Sequence, residues 1–255
     1  MYRVGIAKLT SCSGCINEVI YALTFRDIVD KYRVEYFTEV LDVEDFGEVD
    51  IVFVEGSISN KHQEEFVKSV RAKAEFLVAI GTCALMGGVQ SLRSGIDVEV
   101  VKRTVYPEPR YIDIYSDVKP VTDVVKVDLV IPGCPVNGEA VISLLRKYSL
   151  GGLPIPIYES VCGECKRKRF ECVLVAKGIP CLGPITISGC GAICPSFGRG
   201  CYGCYGIKYF DIGKENIELF IKHLEELGLS REDVDTLLKG YGFKVYLSLT
   251  KGEKK

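Results

Sequence analysis

One stretch of the chain, residues 161–204, holds eight of its twelve cysteines and constrains the fold more than any other feature. A buried free cysteine packs as a small hydrophobic residue, and packing alone gives it no reason to recur at short regular spacings. Two C-x-x-C pairs place thiols on short turns where both can bind one metal centre, and a C-P pair is typical of bacterial ferredoxins. Eight sulfurs complete two four-thiolate sites. They are Cys162, Cys165, Cys172, Cys181, Cys190, Cys194, Cys201 and Cys204.

The composition favours a cytosolic protein, and this bears on what the thiols do. The 255 residues are 47% hydrophobic with a formal net charge of -2, which gives no reason to expect nucleic acid or an anionic membrane as partner. No apolar run reaches the roughly 18 residues that a spanning helix needs, and we expect no secretory signal. Cytosolic thiols stay reduced, and C-x-x-C pairs there usually bind metal or perform redox chemistry.

Three chemistries are open to such cysteines: iron-sulfur clusters, zinc sites and disulfides. The scarcity of Gln and Asn beside 26% charged residues indicates a hyperthermophile, whose cytosol can also hold disulfides. Zinc sites also use C-x-x-C pairs, usually drawn from two local knuckles. The spacing favours iron-sulfur clusters.

Upstream of the cysteine-rich stretch, the hydrophobic pattern predicts an α/β domain. Strands are predicted over residues 2–9, 34–38, 50–55, 76–80 and 127–131, and helices over 16–30, 62–72 and 137–147. Strands that alternate with helices form a parallel sheet with helices on both faces. In such sheets the ligand binds beyond the carboxyl ends of the strands.

The four remaining cysteines all follow predicted strands. They are Cys12, Cys15, Cys83 and Cys134, in the phrases T-S-C-S-G-C, G-T-C-A and P-G-C-P. Loops from three strands meet at one edge, so they can supply four thiolates to one centre; the alternative is four separate buried cysteines. Gly14, Gly81 and Gly133 let the backbone approach and turn N–H groups towards a negatively charged cluster, and the helix from Ile16 points its positive end there. A set this dispersed does not fit a zinc knuckle.

Glycine and proline at residues 151–154 mark the predicted domain boundary, dividing the chain into residues 1–150 and 151–255. Residues 103–125 are predicted to form an ordered connection rather than a flexible linker. Helices are predicted over 214–227 and 230–239, the second with a capping box between Ser230 and Asp233.

Few charged or histidine side chains stand out near the cysteines. The basic run at residues 166–169 is either a solvated turn or a functional patch, which would dock the next electron carrier or raise the reduction potential of a nearby cluster through its positive charge. His62 and His223 lie on predicted helices away from the cysteines, and we expect them at the surface.

With its three groups of four cysteines, and with C-S-G-C, E-G-S, G-T-C-A and P-G-C-P, the sequence resembles the small subunit of nickel-iron hydrogenases over residues 4–206. Within that family its motifs look closest to the delta subunit of archaeal cytosolic sulfhydrogenases, which are NADP-linked, and next to the corresponding subunit of F420-reducing hydrogenases. The resemblance implies a flavodoxin-like domain followed by a small loop-rich iron-sulfur domain with C-terminal helices.

The resemblance also implies three ligand groups, each holding one [4Fe-4S] cluster. The proximal group is Cys12, Cys15, Cys83 and Cys134; the medial group is Cys190, Cys194, Cys201 and Cys204; the distal group is Cys162, Cys165, Cys172 and Cys181. The chain would then be a non-catalytic relay without a catalytic residue of its own. Its expected partners are a nickel-iron large subunit, a flavin and NAD(P)-binding subunit and a further iron-sulfur subunit in a heterotetramer.

Two positions depart from much of the family. Cys162 stands where many members have a histidine, and Cys194 adds a fourth medial thiolate, so the resemblance implies three cubanes rather than two plus a three-iron centre. The open alternatives are an F420-reducing, heterodisulfide-linked or quinone-linked carrier and a zinc-binding scaffold. Adjacent cysteines after the first strand would favour the quinone branch, and here Cys12 and Cys15 are separated by two residues.

Overall fold

The computed structural model describes residues 1–43, 45–155, 159–208 and 212–250, with side chains described up to residue 242. In this part of the chain five parallel strands form one sheet in the order β2-β1-β3-β4-β5. The strands are β1 Tyr2–Lys8, β2 Tyr32–Tyr36, β3 Val49–Glu55, β4 Ala74–Ile80 and β5 Leu129–Ile131. The predicted parallel α/β sheet is confirmed.

Helices connect the strands and make up most of the regular structure after them. They are α1 Gly14–Leu23, α2 Arg26–Val29, α3 Lys61–Lys73, α4 Gly81–Met86, α5 Val98–Val105, α6 Gly138–Tyr148, α7 Val161–Arg167, α8 Val173–Lys177, α9 Ile193–Ser196, α10 Lys214–Glu226 and α11 Arg231–Thr250. None of the helices in the described ranges is long and apolar enough to cross a membrane.

The central strand β3 shows why the sheet is covered on both faces. Ile51 and Phe53 pack in a core with α1 and α6, whereas Val52 and Val54 pack in a second core with α3. All four side chains are fully buried. A strand buried on both faces therefore reads as a continuous apolar run, which is typical of parallel sheets.

The predicted helix over residues 16–30 is wrong as one element, because it breaks between α1 and α2. The hydroxyl of Thr24 donates a hydrogen bond to the carbonyl of Tyr21 at 2.7 Å, and Phe25 adopts extended backbone angles. The Phe25 ring then packs edge-on against Tyr21, with centroids 5.2 Å apart. A side chain that bonds a nearby carbonyl competes with the helix in this way.

The last helix is longer than predicted, since α11 runs to Thr250 with a kink at Gly242. Its predicted capping box is confirmed: the N–H of Ser230 donates to Asp233 at 2.9 Å, and the N–H of Asp233 donates to the Ser230 hydroxyl at 3.1 Å. Helix α11 packs against α4 and the 3-10 turn Gly88–Arg93 of the sheet domain. The C-terminal helix thus contacts the sheet domain, and the domain boundary at residue 151 stays a prediction.

Candidate metal centres

The proximal group lies on the rim, by which we mean the loops that follow the carboxyl ends of β1, β3, β4 and β5. Ile80 of β4 pairs with Ile131 of β5, and Cys83 and Cys134 each follow their strand by three residues. The N–H of Thr82 donates to the carbonyl of Gly133 at 2.8 Å and joins these two loops. The parallel register therefore brings cysteines far apart in sequence to one edge.

The four thiols of the proximal group act on one another electrostatically. Burial raises the pKa of Cys15 to about 12, and the neighbouring charges of Glu55, Cys83 and Cys134 add to the rise. Burial raises the pKa of Cys83 to about 11, with further contributions from Cys134 and Cys12. Thiols that lose solvent in this way and repel one another when ionised are a donor set that a cationic metal centre stabilises.

Glycines make room for these sulfurs. Gly81 has a φ of +84°, and a Cβ there would lie 2.6 Å from the Sγ of Cys15. Gly88 has a φ of +58°, and its Cβ would lie 2.5 Å from the Sγ of Cys83. Both positions need glycine for conformation and for space. Gly81 was expected from the sequence to serve this role, whereas Gly88 was not.

Glu55 is a site residue that sequence reasoning missed. Its carboxylate is 2% exposed and accepts hydrogen bonds from the N–H groups of Cys15 at 3.3 Å and Ile16 at 3.2 Å. Burial raises the pKa of this carboxyl group despite the two bonds. The first N–H groups of α1 were expected to face a cluster, yet Glu55 takes them. The available signal was a glutamate at the end of a buried strand, in the phrase E-G-S.

The medial group lies beside the proximal group. Burial raises the pKa of Cys204 to about 11, and the charges of Cys190, Cys194 and Cys134 add to it. The Thr82 hydroxyl, one residue before Cys83, donates to the carbonyl of Cys204 at 2.6 Å. A side chain of the rim is thus bonded directly to a medial cysteine.

The thiols of the distal group lie close to one another. Burial raises the pKa of Cys162 to about 11, and the charges of Cys181, Cys172 and Cys165 add to it. A Cβ on Gly183 would lie 3.3 Å from the Sγ of Cys181 and 3.6 Å from that of Cys162, so the two sulfurs flank this glycine.

Cys201 joins the medial and distal groups. Burial raises its pKa to about 12, and both Cys181 and Cys204 contribute. Its N–H also donates to the Sγ of Cys181 at 3.2 Å. Hydrogen bonds therefore link the rim to Cys204, and Cys201 to Cys181.

All twelve cysteines are free thiols in the structure, and their division into ligand sets stays a prediction. Among the described residues no three His, Cys, Asp or Glu side chains converge on the position of a single metal ion. His62 and His223 are exposed on α3 and α10, as expected.

The basic run is partly used inside the chain. Arg167 forms a two-pronged ion pair with Glu159, and the ammonium of Lys168 donates to the carbonyl of Gly191 at 2.6 Å. Lys166 and Arg169 are exposed. Lys166 and Arg169 are therefore the members of the run whose contacts within the chain do not occupy them in this way.

Comparison with known proteins gives both a family and relatives. Residues 12–148 match the family model described as the NADH ubiquinone oxidoreductase 20 kDa subunit. The chain is 37% identical to sulfhydrogenase 2 subunit delta of Pyrococcus furiosus over 80% of this chain and 86% of that protein. It is 32% identical to a subunit of the vhu F420-non-reducing hydrogenase of Methanococcus voltae, over 80% of this chain and 82% of that one.

Solved structures agree with the sequence relatives. A chain of an NAD+-reducing [NiFe]-hydrogenase in the H2-reduced state superposes with a TM-score of 0.56 and 26% identity, covering 61% of this chain and 94% of that chain. A chain of the Ni-Fe-Se hydrogenase from Desulfomicrobium baculatum has a TM-score of 0.53 at 17% identity and shares the fold, over 82% of this chain and 96% of that one.

Proposed function

The chain belongs to the family that joins the 20 kDa subunit of NADH ubiquinone oxidoreductase with the small subunits of nickel-iron hydrogenases, and from this we propose that it relays electrons through three [4Fe-4S] clusters. As a hydrogenase subunit it is one part of an oxidoreductase that acts on H2, and a nickel-iron large subunit is its partner. What we propose is the number of clusters, the cysteines that bind them and the electron acceptor.

The observation that carries the proposal is the serial order of the three cysteine groups. The Thr82 hydroxyl of the rim donates to the carbonyl of medial Cys204 at 2.6 Å, and the N–H of medial Cys201 donates to the Sγ of distal Cys181 at 3.2 Å. The medial group thus has neighbours on both sides. Twelve thiols in three consecutive groups of four supply complete thiolate ligation for three cubanes, without a histidine.

The residues present fit such clusters. At Gly81 and Gly88 a side chain would intrude on a cysteine sulfur, with Cβ-to-Sγ distances of 2.6 and 2.5 Å. The N–H groups of Cys201 and Gly203 donate to the sulfurs of Cys181 and Cys201 at 3.2 and 3.4 Å. Bound to these groups, [4Fe-4S] clusters would supply one-electron transfer at potentials set by hydrogen bonds, burial and nearby charge. The chain itself holds the sulfurs, excludes water and keeps the groups in series.

A lobe formed by residues 95–114 supports docking of the large subunit at the rim. Gln90, shortly before it, donates to the carbonyl of Thr10 at 3.0 Å, and Tyr115, directly after it, donates its N–H to the carbonyl of Ser59 at 2.7 Å. The lobe therefore leaves and rejoins the sheet domain at the rim.

The lobe also presents apolar surface. None of its residues is buried, and its exposed apolar side chains include Ile96, Val100, Val105 and Tyr111. Several large exposed apolar side chains on one short segment are typical of a protein-protein contact. We assign the nickel-iron subunit as its occupant because the lobe adjoins the proximal group.

For the acceptor we propose a flavin and NAD(P)-binding subunit, accompanied by a further iron-sulfur subunit in a cytosolic complex. The names of two relatives support this branch: sulfhydrogenase 2 subunit delta and, at 30% identity over 44% of this chain, the NAD-reducing hydrogenase HoxS subunit delta of Cupriavidus necator. The alternative is a different acceptor subunit, supported by the match to F420-non-reducing hydrogenase subunits.

Replacing Cys12 with alanine tests the proposal in the assembled complex. Cys12 is exposed at the rim, so its removal spares the core while taking one ligand from the proximal group. We expect hydrogen-dependent dye reduction to be lost in Cys12→Ala and kept in the neighbouring control Ser11→Ala. Unchanged activity in Cys12→Ala would count against the proximal assignment.

A further inference from the structure

We propose that helix α7 creates an electrical polarity between the medial and distal groups, with Glu164 opposing reduction of the medial group and Lys166 favouring reduction of the distal group. Both charges would draw electrons outward along the chain of clusters. This inference rests on the proposed function, because it presupposes a cluster at each of the two groups.

Glu164 faces the medial group although it lies between two distal cysteines in sequence. Its carboxylate accepts hydrogen bonds from the N–H groups of Gly189 at 3.0 Å and Ala192 at 3.2 Å, which flank Cys190. One carboxylate oxygen lies 3.8 Å from the Sγ of Cys190. Consistent with this contact, Glu164 adds to the raised pKa of the Cys190 thiol, whose first cause is burial.

The loop that Glu164 holds has an unusual backbone. Gly191 and Ala192 have φ angles of +70° and +55°, and Ala192 is one of three described non-glycine residues with a positive φ. The Ala192 N–H is bonded to Glu164, and the Gly191 carbonyl is bonded to Lys168. Since Ala192 is not favoured in this conformation, the two contacts from α7 and its end help to fix the position of Cys190.

Lys166 faces the distal group. Cys162 and Lys166 are four residues apart on α7, so their side chains lie on the same face of the helix. Glu164 is two positions from both Cys162 and Lys166, so its side chain lies about 200° away from theirs around the helix axis. Burial raises the pKa of Cys162, and the positive charge of Lys166 acts to lower it. Helix α7 therefore carries a negative charge on its medial side and a positive charge on the face that holds Cys162.

Other charges near α7 leave this arrangement in place. Arg167 is neutralised by its ion pair with Glu159. Lys168 lies at the medial loop, but its ammonium binds the Gly191 carbonyl, while Glu164 approaches the Cys190 sulfur itself. Glu171 pairs with Lys177 at 2.8 Å. Among the charges on α7, Glu164 is the one in contact with a medial cysteine, and Lys166 is the one that shares a face with a distal cysteine.

The direction of the effect follows from charge. Reduction adds an electron to a cluster, so a nearby carboxylate lowers the reduction potential and a nearby ammonium raises it. Glu164 is partly buried and bonded in place, whereas Lys166 is exposed and screened by water. We therefore expect Glu164 to have the larger effect.

The test is a redox titration, monitored by electron paramagnetic resonance, of the complex with Glu164→Gln or Lys166→Gln. The medial signal is the one altered by Cys190→Ser, and the distal signal the one altered by Cys162→Ser. Glu164→Gln should raise the medial potential and change the electron's partition between the two clusters about tenfold, which is about 59 mV for a one-electron couple. Lys166→Gln should lower the distal potential by a smaller amount.

Two matched controls come from the exposed pair Lys214 and Glu218 on α10. Glu218→Gln and Lys214→Gln remove the same charges elsewhere and should leave both potentials in place. Suppose that both cluster signals are present, but the medial potential shifts no more in Glu164→Gln than in Glu218→Gln. That result would overturn this inference and leave the proposed function standing. Absence of two separate cluster signals in the unmodified complex would instead overturn the proposed function.

Discussion

The side chain of Glu55, the last residue of β3, accepts a hydrogen bond from the backbone N–H of Cys15 at 3.3 Å. The same carboxylate bonds the next N–H along the chain and so fixes the start of α1. One buried charge from the middle of the sheet thereby positions the loop that carries two of the four proximal cysteines.

Glu55→Gln should raise the reduction potential of the proximal cluster, because it removes a buried negative charge while keeping the shape of the side chain. Glu55→Ala should also destabilise the fold by about 1–3 kcal/mol, since two buried N–H groups lose their acceptor. Redox titration and chemical unfolding measure the two effects. Glu48→Gln, an exposed charge at 82% side-chain exposure, is the control, and equal potentials in the Glu55 and Glu48 variants would contradict the prediction.

Gly88→Ala should remove the proximal cluster, because the new Cβ would lie 2.5 Å from the Sγ of Cys83. The matched control is Gly95→Ala, which has a similarly positive φ of +84° but no atom within 4 Å of the new Cβ. Both variants have backbone strain, and only the first displaces a sulfur. We expect about four iron atoms fewer per chain in Gly88→Ala, and equal iron contents in the two variants would show that the sulfur contact is unimportant.

Val100→Glu should weaken assembly with the large subunit, since it places a charge on the exposed apolar surface of the lobe. Glutamate forms helix more readily than valine, so α5 itself should stay folded. Co-purification of the complex measures the effect. Leu219→Glu, at a position 65% exposed on α10, is the control. Retention of the large subunit by the Val100 variant would exclude the lobe from the interface.

Acid should weaken the contact that holds the segment directly after the lobe, residues 115–119, to α3. Hydrogen bonds from Lys119, Lys68 and Tyr115 lower the pKa of Glu64 from its ordinary value of 4.5 to about 2. A lowered pKa means that the stabilisation is complete above pH 4.5 and is lost as the pH falls towards about 2. The difference in unfolding free energy between the unmodified chain and Glu64→Gln should therefore shrink across this range. A difference that is constant with pH would contradict the assignment.

The sequence predicted the sheet, and it predicted that cysteines meet at one edge of that sheet, because both follow from local rules. Buried runs such as residues 51–54 identify parallel strands, and strand ends locate Cys83 and Cys134 at one edge. It did not predict Glu55 or Glu164 as site residues, since each acts through backbone N–H groups that are distant in sequence. The break of the predicted helix at Thr24 has a local cause instead. A hydrogen bond from the Thr24 hydroxyl to the carbonyl of Tyr21 outweighs the apolar periodicity that predicts one continuous helix.

The basic run shows the same limit of sequence reasoning. Four consecutive basic residues read as one patch, but the structure uses Arg167 for an ion pair and Lys168 for a backbone contact. Which member of a charge run is free to act depends on partners that only the folded chain brings near.

The most direct test of the account is the iron and sulfide content of the anaerobically purified complex, combined with Mössbauer spectroscopy of this subunit. Three four-iron cubanes require about twelve iron atoms and about twelve sulfides per chain, all in four-iron signals. That is the result we predict. A chain with about four iron atoms, with zinc in place of iron, or with its cysteines joined in disulfides would contradict the account.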